Sequence, residues 1–321
     1  MEYSTDYFAG IIEAGLKGLD YPQKAPKLFE PVIYTLDGGG KRLRPCLALA
    51  AYAASGGQDL NKVIPQAIAI EMYHNFTLLH DDVMDRADIR RGRPTVHRRW
   101  NDSVAILSGD AMFTFSAQLM AECQPDLLPT VMATFLRTTM EVTEGQQLDM
   151  EFEHRLNVTV PEYIEMIRLK TSVLLACACA VGAIMAKASE EDIKNFYEYG
   201  ENLGLAFQLR DDWLDTFGDP AVFGKEIGGD IRNHKKTWLL ITAIQEAGDN
   251  ILSILQEDLA DEELIRQVRE VYDNLQLNRR CNELAERYSA KAIDNLNKIS
   301  MDVRAKEYLT SLARQASTRN H

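Results

Sequence analysis

Apolar residues recur at three- and four-residue steps along nearly all of this 321-residue chain. That period belongs to the buried stripe of an α-helix, not to a strand. The runs Ala48–Ala54, Ile64–Leu79, Val104–Glu122, Leu128–Val142, Tyr163–Ala186, Glu191–Leu214, Thr237–Glu246 and Glu262–Leu296 all carry it. Alternating β-branched stretches are scarce. Glycine and proline interrupt the helical pattern at Gly56-Gly57, Arg93-Pro94, Gln124-Pro125, Gly218-Asp219-Pro220 and Gly228-Gly229. No linker, low-complexity stretch or short repeat stands out. The expectation is one all-α domain over residues 1–321, about a dozen helices packed by bundle rules around a central cavity.

One acidic pattern is written twice on these helices. Asp81-Asp82-Val83-Met84-Asp85 and Asp211-Asp212-Trp213-Leu214-Asp215 are both DDxxD. On a helix the first and last aspartates share a face, with the middle one about 100° away. Like charges at that spacing repel and weaken the helix, so a cation is expected between the pentads, facing each other across the cavity. Ligands that are all oxygen, with no His or Cys among them, suit Mg²⁺, which keeps waters and bridges carboxylates to phosphates. The alternative is a pair of solvated acidic faces. Apolar flanks (FTLLH before the first, LGLAFQLR before the second) argue against it.

Basic residues accompany the acids. Asp37-Gly38-Gly39-Gly40-Lys41-Arg42-Leu43-Arg44-Pro45 sets cations beside backbone that glycine lets come close to a ligand. It is not a nucleotide P-loop, because Arg42 follows Lys41 where Ser or Thr is required and no strand precedes it. Arg90-Arg91 and Arg93 follow the first pentad, and Lys225 and Lys235 the second. Arginine forks and lysine point charges suit diphosphate oxygens. The acid-then-base order, repeated, would hold two diphosphates: one through metal on the carboxylates, one directly on cations.

Composition narrows the partners. A net charge of −13 argues against nucleic acid or an anionic membrane. The five cysteines are scattered and odd in number, as expected of reduced thiols in a cytoplasmic protein. Acidic residues from Glu2 to Asp20 break up any leader pattern. The longest apolar run, Val173–Ala186, falls short of the ~20 residues of a membrane span and reads as a core helix.

GGGKRLRP, HNFTLLHDDVMDRADIRRGRPTVH, LSGD at 107–110, GQQLD at 145–149, Lys170-Thr171 and FQLRDDWLDTFGD resemble, in order, the trans-isoprenyl diphosphate synthases or polyprenyl synthetases. The likeness runs from residue 38 to about 240; beyond that the chain matches only as generic helix. It implies an all-α prenyltransferase, homodimeric, with three Mg²⁺ ions and two substrates, isopentenyl diphosphate and an allylic diphosphate. By that resemblance Asp81, Asp82, Asp85, Asp211 and Asp215 hold metal, and Asp212 completes the second motif through water or neighbouring groups. Arg90, Lys170, Lys225 and Lys235 grip the allylic diphosphate. Lys41, Arg44, His74 and Arg91 form the isopentenyl diphosphate pocket. Thr171, Gln146 and Gln208 turn oxygens toward a developing carbocation, and Asp149 anchors their region.

Ionisation of the allylic diphosphate, attack by the isopentenyl double bond and loss of a proton to the released diphosphate need no protein nucleophile. Thr77, four residues before Asp81, lies on the same face one turn deeper, where a growing chain would pass. Phe76 as a floor rests on the resemblance, with Tyr73 bulky one turn further. By the same resemblance, a single aromatic, Phe76, five residues before the pentad, with Thr77 nearer and no insertion within the pentad, implies C20, with C15 next. Three other readings compete. The pairs Glu71/His74 and Glu151/His154 are ExxH patterns, as in di-iron carboxylate oxidoreductases. A class I terpene cyclase shares a first DDxxD but lacks the second pentad and the basic loop, and an inactive subunit would have lost aspartates that are all present here.

Overall fold

Residues 2–219 and 227–319 are described by the computed structural model. Within them the regular elements are helices, apart from one two-stranded ribbon. Contacts gather it into two compact units. One comprises Met1–Arg137, Cys177–Tyr197 and Met301–Tyr308; the other comprises Thr138–Ala176, Glu198–Ser300 and Leu309–His321.

In the first unit α1 (Thr5–Lys17) is capped by Ser4, whose hydroxyl accepts from the Tyr7 amide, and it buries Phe8, Ile12 and Leu16 at four-residue steps. There follow α2 (Pro26–Leu36), α3 (Leu43–Ala54), α4 (Ile64–Met84), α5 (Val96–Arg99), α6 (Asp102–Met120) and the start of α7 (Leu128–Glu153), whose residues from Thr138 belong to the second unit. α4 packs along α6 and against α3, while α2 lies on α6 and α1 on α3 and α4. Small residues permit close crossing. A Cβ at Gly182 would fall 2.2 Å from the Ala48 carbonyl oxygen of α3.

The ribbon pairs Ile89–Arg90 (β1) with Arg93–Pro94 (β2). Arg91 and Gly92 between them both have positive φ, 52° and 73°, the hairpin geometry that suits the twist of paired strands. Arg93-Pro94, a breaker by sequence, is thus half of a hairpin.

In the second unit α8 (Val160–Ile167) starts at a capping box of Thr159 and Glu162. A π turn, Arg168–Ser172, leads into α9 (Val173–Met185), then α10 (Glu190–Phe217), α11 (Gly229–Arg232), α12 (Trp238–Ala247), α13 (Asp249–Gln256), α14 (Asp261–Asn274), α15 (Leu277–Asn297) and α16 (Val303–Thr318); of these, α9 from Cys177, α10 as far as Tyr197 and α16 as far as Tyr308 belong to the first unit. α12 packs on α8, α14 and α15 around a core that includes Tyr163, Leu209, Trp238, Val268 and Tyr272.

Three expectations change. The run Tyr163–Ala186 is interrupted by the π turn. Glu262–Leu296 divides at Gln276, which takes the left-handed conformation with φ 56° and so ends α14. The helical stretch Val160–Met185, longer than the apolar run read from sequence, is long and apolar enough to cross a membrane by length and composition, yet 83% of its most apolar window is buried within the protein.

The glycine loop is fixed by a buried ion pair. Arg42, itself left-handed at φ 48°, donates to Glu13 (2.7 Å), Glu71 (2.6 Å) and the Leu36 carbonyl (2.6 Å). Glu71 also receives the Asn75 amide at 2.9 Å. Burial opposes the Arg42 charge, but Glu71 and Glu13 outweigh it and hold the guanidinium's pKa above its ordinary value. Arg42 and Glu71 are 3% and 2% exposed, so removing one partner leaves the other charge stranded. Arg42→Ala should cost about 3–5 kcal/mol in urea unfolding; a loss below about 1 kcal/mol would place the loop's anchor elsewhere.

Candidate active site

The first pentad ends α4. Asp81 and Asp82 lie in its last turn and Asp85 is the C-cap, its amide donating to the Asp81 carbonyl at 2.8 Å. Carboxylates here meet the negative end of the helix dipole as well as each other. Asp82 is buried, which raises its pKa, and Arg90 opposes that rise by donating from Nε at 2.8 Å. Asp85 is exposed and Asp81 partly so.

β1 and the glycine loop bring the cations together in this same unit. Arg91 donates to the Gly39 carbonyl, and a Cβ on Gly40 would lie 3.0 Å from the Arg91 guanidinium. Lys41 sits between Gly40 and the anchored Arg42. Arg44 approaches His74 Nε2 at 3.3 Å. Burial, then Arg44, Arg91, Arg90 and Arg42, hold the His74 pKa well below its ordinary value. His74 is therefore a neutral imidazole that accepts from Arg44. An open recess of about 360 Å³ is lined by Asn75, Asp82, Arg90, Arg91 and Arg93 among others.

Below the pentad on α4, Tyr73, Phe76 and Phe113 pack as an aromatic cluster. Tyr73 lies 5.4 Å from Phe76, 6.0 Å from Phe113 and 5.6 Å from Phe135, and Phe76 lies 5.6 Å from Phe113. Phe76 also meets His80 edge-on at 4.7 Å. The Thr77 hydroxyl donates back to the His74 carbonyl at 2.8 Å. Gly109 of LSGD lets α6 approach, since a Cβ there would fall 2.2 Å from His80.

In the second unit the π turn presents Lys170 and Thr171. Such turns often mark functional sites. Two glycines make room: a Cβ at Gly145 would lie 2.3 Å from the Lys170 amide nitrogen, and one at Gly204 2.5 Å from the Ser172 Cα. Lys170 pairs with Asp149 at 2.5 Å. Thr171 donates to Gln208 Oε1 at 3.1 Å, and Gln208 Nε2 to Asp212 Oδ1 at 3.0 Å. Tyr163 donates its hydroxyl to Asp212 Oδ2. Gln146 is half-buried beside Gly145.

The second pentad occupies the last two turns of α10, and its three carboxylates have different partners. Asp211 pairs with Arg319, whose guanidinium lies 3.6 Å from the Phe207 ring centroid. Asp212 is buried, and burial pushes its carboxyl up to about 7. Asp215 accepts from the Asp230 amide at 2.8 Å. Burial raises Asp230 to about 6, with Lys235 opposing. Lys235, 3.9 Å from the Asp230 carboxylate, is lowered by burial but raised further by Asp230, Asp149, Asp212 and Asp215, leaving its pKa above the ordinary value. Lys225 lies outside the described residues.

Asp230, Arg319, Tyr163 and Phe113 were not legible as site residues. Asp230 follows Gly228-Gly229, a turn signal that carries no chemistry by itself, and the other three are joined to the site only by folding. The ExxH reading fails: Glu71 is committed to Arg42 and Asn75, and Glu151 is exposed and accepts from Gln147 at 2.9 Å. Among the described residues no three His, Cys, Asp or Glu side chains form a ready-made metal cage. The aspartates fit Mg²⁺ nonetheless, since that ion takes one or two carboxylates and completes its octahedron with water and phosphate.

The sequence model described as polyprenyl synthetase matches residues 25–274. A geranylgeranyl diphosphate synthase of Methanosarcina mazei is 41% identical over 237 residues, 73% of each chain. One from Saccharolobus solfataricus is 38% identical over 288 residues, 87% of this chain and 86% of that one. A crystal structure of geranylgeranyl pyrophosphate synthase matches with a TM-score of 0.92 at 40% identity, covering 100% of both chains.

The glycine at the π turn gives a direct check. Gly145→Ala should lower stability by about 1–3 kcal/mol, because backbone and not a flexible side-chain tip stands in the way. Gly10→Ala, whose Cβ would meet nothing within 4 Å, should be neutral or stabilising by up to about 1 kcal/mol. Thermal unfolding of both reads the difference, and equal melting temperatures would remove the packing role of Gly145.

Proposed function

The chain belongs to the polyprenyl synthetase family and is a prenyl diphosphate synthase, and we propose that it joins isopentenyl diphosphate to an allylic diphosphate in a Mg²⁺-dependent reaction giving mainly C20 geranylgeranyl diphosphate. One observation supports the assignment of roles above all: each aspartate pentad has basic side chains paired to it or set among its acids. Arg90, Lys170 and Lys235, assigned to the allylic diphosphate, are the cations that here balance Asp82, Asp149 and Asp230. A diphosphate would compete with those carboxylates for the same N–H donors.

Asp81, Asp82, Asp85, Asp211 and Asp215 would hold three Mg²⁺ ions, which when bound neutralise charge on the departing diphosphate. Arg319 must leave Asp211 for that residue to serve. Arg90, Lys170 and Lys235 donate to the leaving group as its negative charge grows, with Lys225 assigned to the same task. Lys41, Arg44, His74 and Arg91 hold isopentenyl diphosphate, with neutral His74 fixing the Arg44 fork. Thr171, Gln208 and Gln146 offer oxygen dipoles where positive charge appears on the allylic carbon. The isopentenyl double bond attacks that carbon, and the released diphosphate takes the proton. The elongating chain runs past Thr77 toward Phe76, Tyr73 and Phe113.

One domain over residues 1–321 and assembly as a homodimer are part of this proposal. The exposed Ile106 and Leu107 on α6 and Leu136 on α7 support an apolar face for a second copy. A cytoplasmic location is also proposed, on the strength of five free cysteines, four of them buried. No role in binding nucleic acid is proposed for so acidic a chain.

Purified protein should convert isopentenyl diphosphate plus dimethylallyl, geranyl or farnesyl diphosphate to C20 product with Mg²⁺, and to nothing with excess EDTA, as read by mass spectrometry. Hydrocarbon or alcohol release without elongation would instead favour a terpene cyclase. In the same assay Phe76→Ala and Phe113→Ala should each shift the product to C25 or longer. An unchanged length in both would place the floor elsewhere.

A further inference from the structure

The middle aspartate of the second pentad is engaged differently from its neighbours. Both oxygens of Asp212 receive protein donors, the Tyr163 hydroxyl on Oδ2 and Gln208 Nε2 on Oδ1, the latter at 3.0 Å. Gln208 turns its NH₂ to Asp212, with Nε2 as the donor and Oδ1 as the acceptor. Its carbonyl oxygen then faces Thr171, which donates to it at 3.1 Å. The amide has two ways round, and Asp212 selects one. Asp212 in turn is held by a hydroxyl on a ring locked in the core: Tyr163 is 1% exposed and packs within the cluster of the second unit.

We propose that Tyr163 is a positioning residue for prenyl transfer, its hydroxyl fixing Asp212 and, through Asp212, the direction of the Gln208 carbonyl dipole. The inference rests on the functional reading above, in which Thr171 and Gln208 face the developing cation. Without the hydroxyl, Asp212 loses one of two anchors and the Gln208 amide is free to turn over. Its NH₂ would then face Thr171 and the dipole would point the wrong way. Transition-state stabilisation depends on dipoles oriented before charge appears, so the cost falls on turnover and not on diphosphate binding.

Tyr163→Phe keeps the ring and its packing. Per folded molecule, kcat should fall about tenfold, the scale of one lost hydrogen bond to a charged group, with KM for both diphosphates changed less than about twofold. In a double-mutant cycle Tyr163→Phe should add no further loss to Gln208→Leu, because the tyrosine acts through that amide. Additive losses, or an unchanged kcat, would overturn the proposal. A second measurement does not depend on turnover: the side-chain amide resonances of Gln208 in selectively labelled protein should shift in Tyr163→Phe. If the wild-type protein fails to elongate any starter, the functional reading falls, while the resonances still decide whether Tyr163 orients Gln208; unshifted resonances overturn that.

Discussion

Carboxylates gathered at the ends of two helices are the constraint on which the rest of the structure turns. Asp81, Asp82 and Asp85 close α4, and Asp211, Asp212 and Asp215 lie in the last turns of α10. Each set faces mutual repulsion and the negative end of a helix dipole. The chain answers with its own cations, Arg90 on Asp82 and Arg319 on Asp211, while the nearby acids Asp149 and Asp230 have Lys170 and Lys235. Where no cation suffices, burial shows in the acids themselves, with Asp212 pushed up to about 7 and Asp230 to about 6.

Segments carrying these groups depart from regular backbone. Arg42 and Arg91 are left-handed, Lys170 and Thr171 sit in a π turn, and Gly40, Gly145 and Gly204 stand where a Cβ would strike a neighbour. Unfavourable local geometry persists only where surrounding contacts over-determine it. For Arg42 those contacts are three hydrogen bonds to Glu13, Glu71 and Leu36. The same bonds that hold the loop also place Lys41 and Arg44 on either side of the anchor.

Much of this was legible in the sequence because it is local. Helical period, the pentads and the basic loop are each written within a few residues, and the helices holding them form where the period places them. What escaped depends on distance or on backbone exceptions. Gln276 ends a helix through its left-handed conformation, though nothing about glutamine announces it. α1 carries a clear four-residue stripe of Phe8, Ile12 and Leu16 that a closer count would have found. Asp230 is an ordinary acid until folding brings its amide to the Asp215 carboxylate. Phe113 becomes part of an aromatic cluster only when α6 packs on α4, against Tyr73 and Phe76. Tyr163 reads as core, and most of it is; its single polar atom carries the rest.

The intramolecular pairs also bear on how so acidic a protein can take anionic substrates. An unpaired cation in a half-buried site would be desolvated at a cost of several kcal/mol before any ligand arrived. Pairing Arg90 with Asp82 and Lys170 with Asp149 offsets part of that cost while keeping the donors near the positions assigned to phosphate. In the proposed reaction a diphosphate arriving with metal ions would offer phosphate oxygens to such cations and cations to such carboxylates, so that partners would be exchanged and no charge left bare. Diphosphate without metal, or metal without diphosphate, satisfies only one half of that exchange. On the proposed function, a need for metal would follow from how the carboxylates and cations of this chain are already matched to each other, as well as from the chemistry of the leaving group.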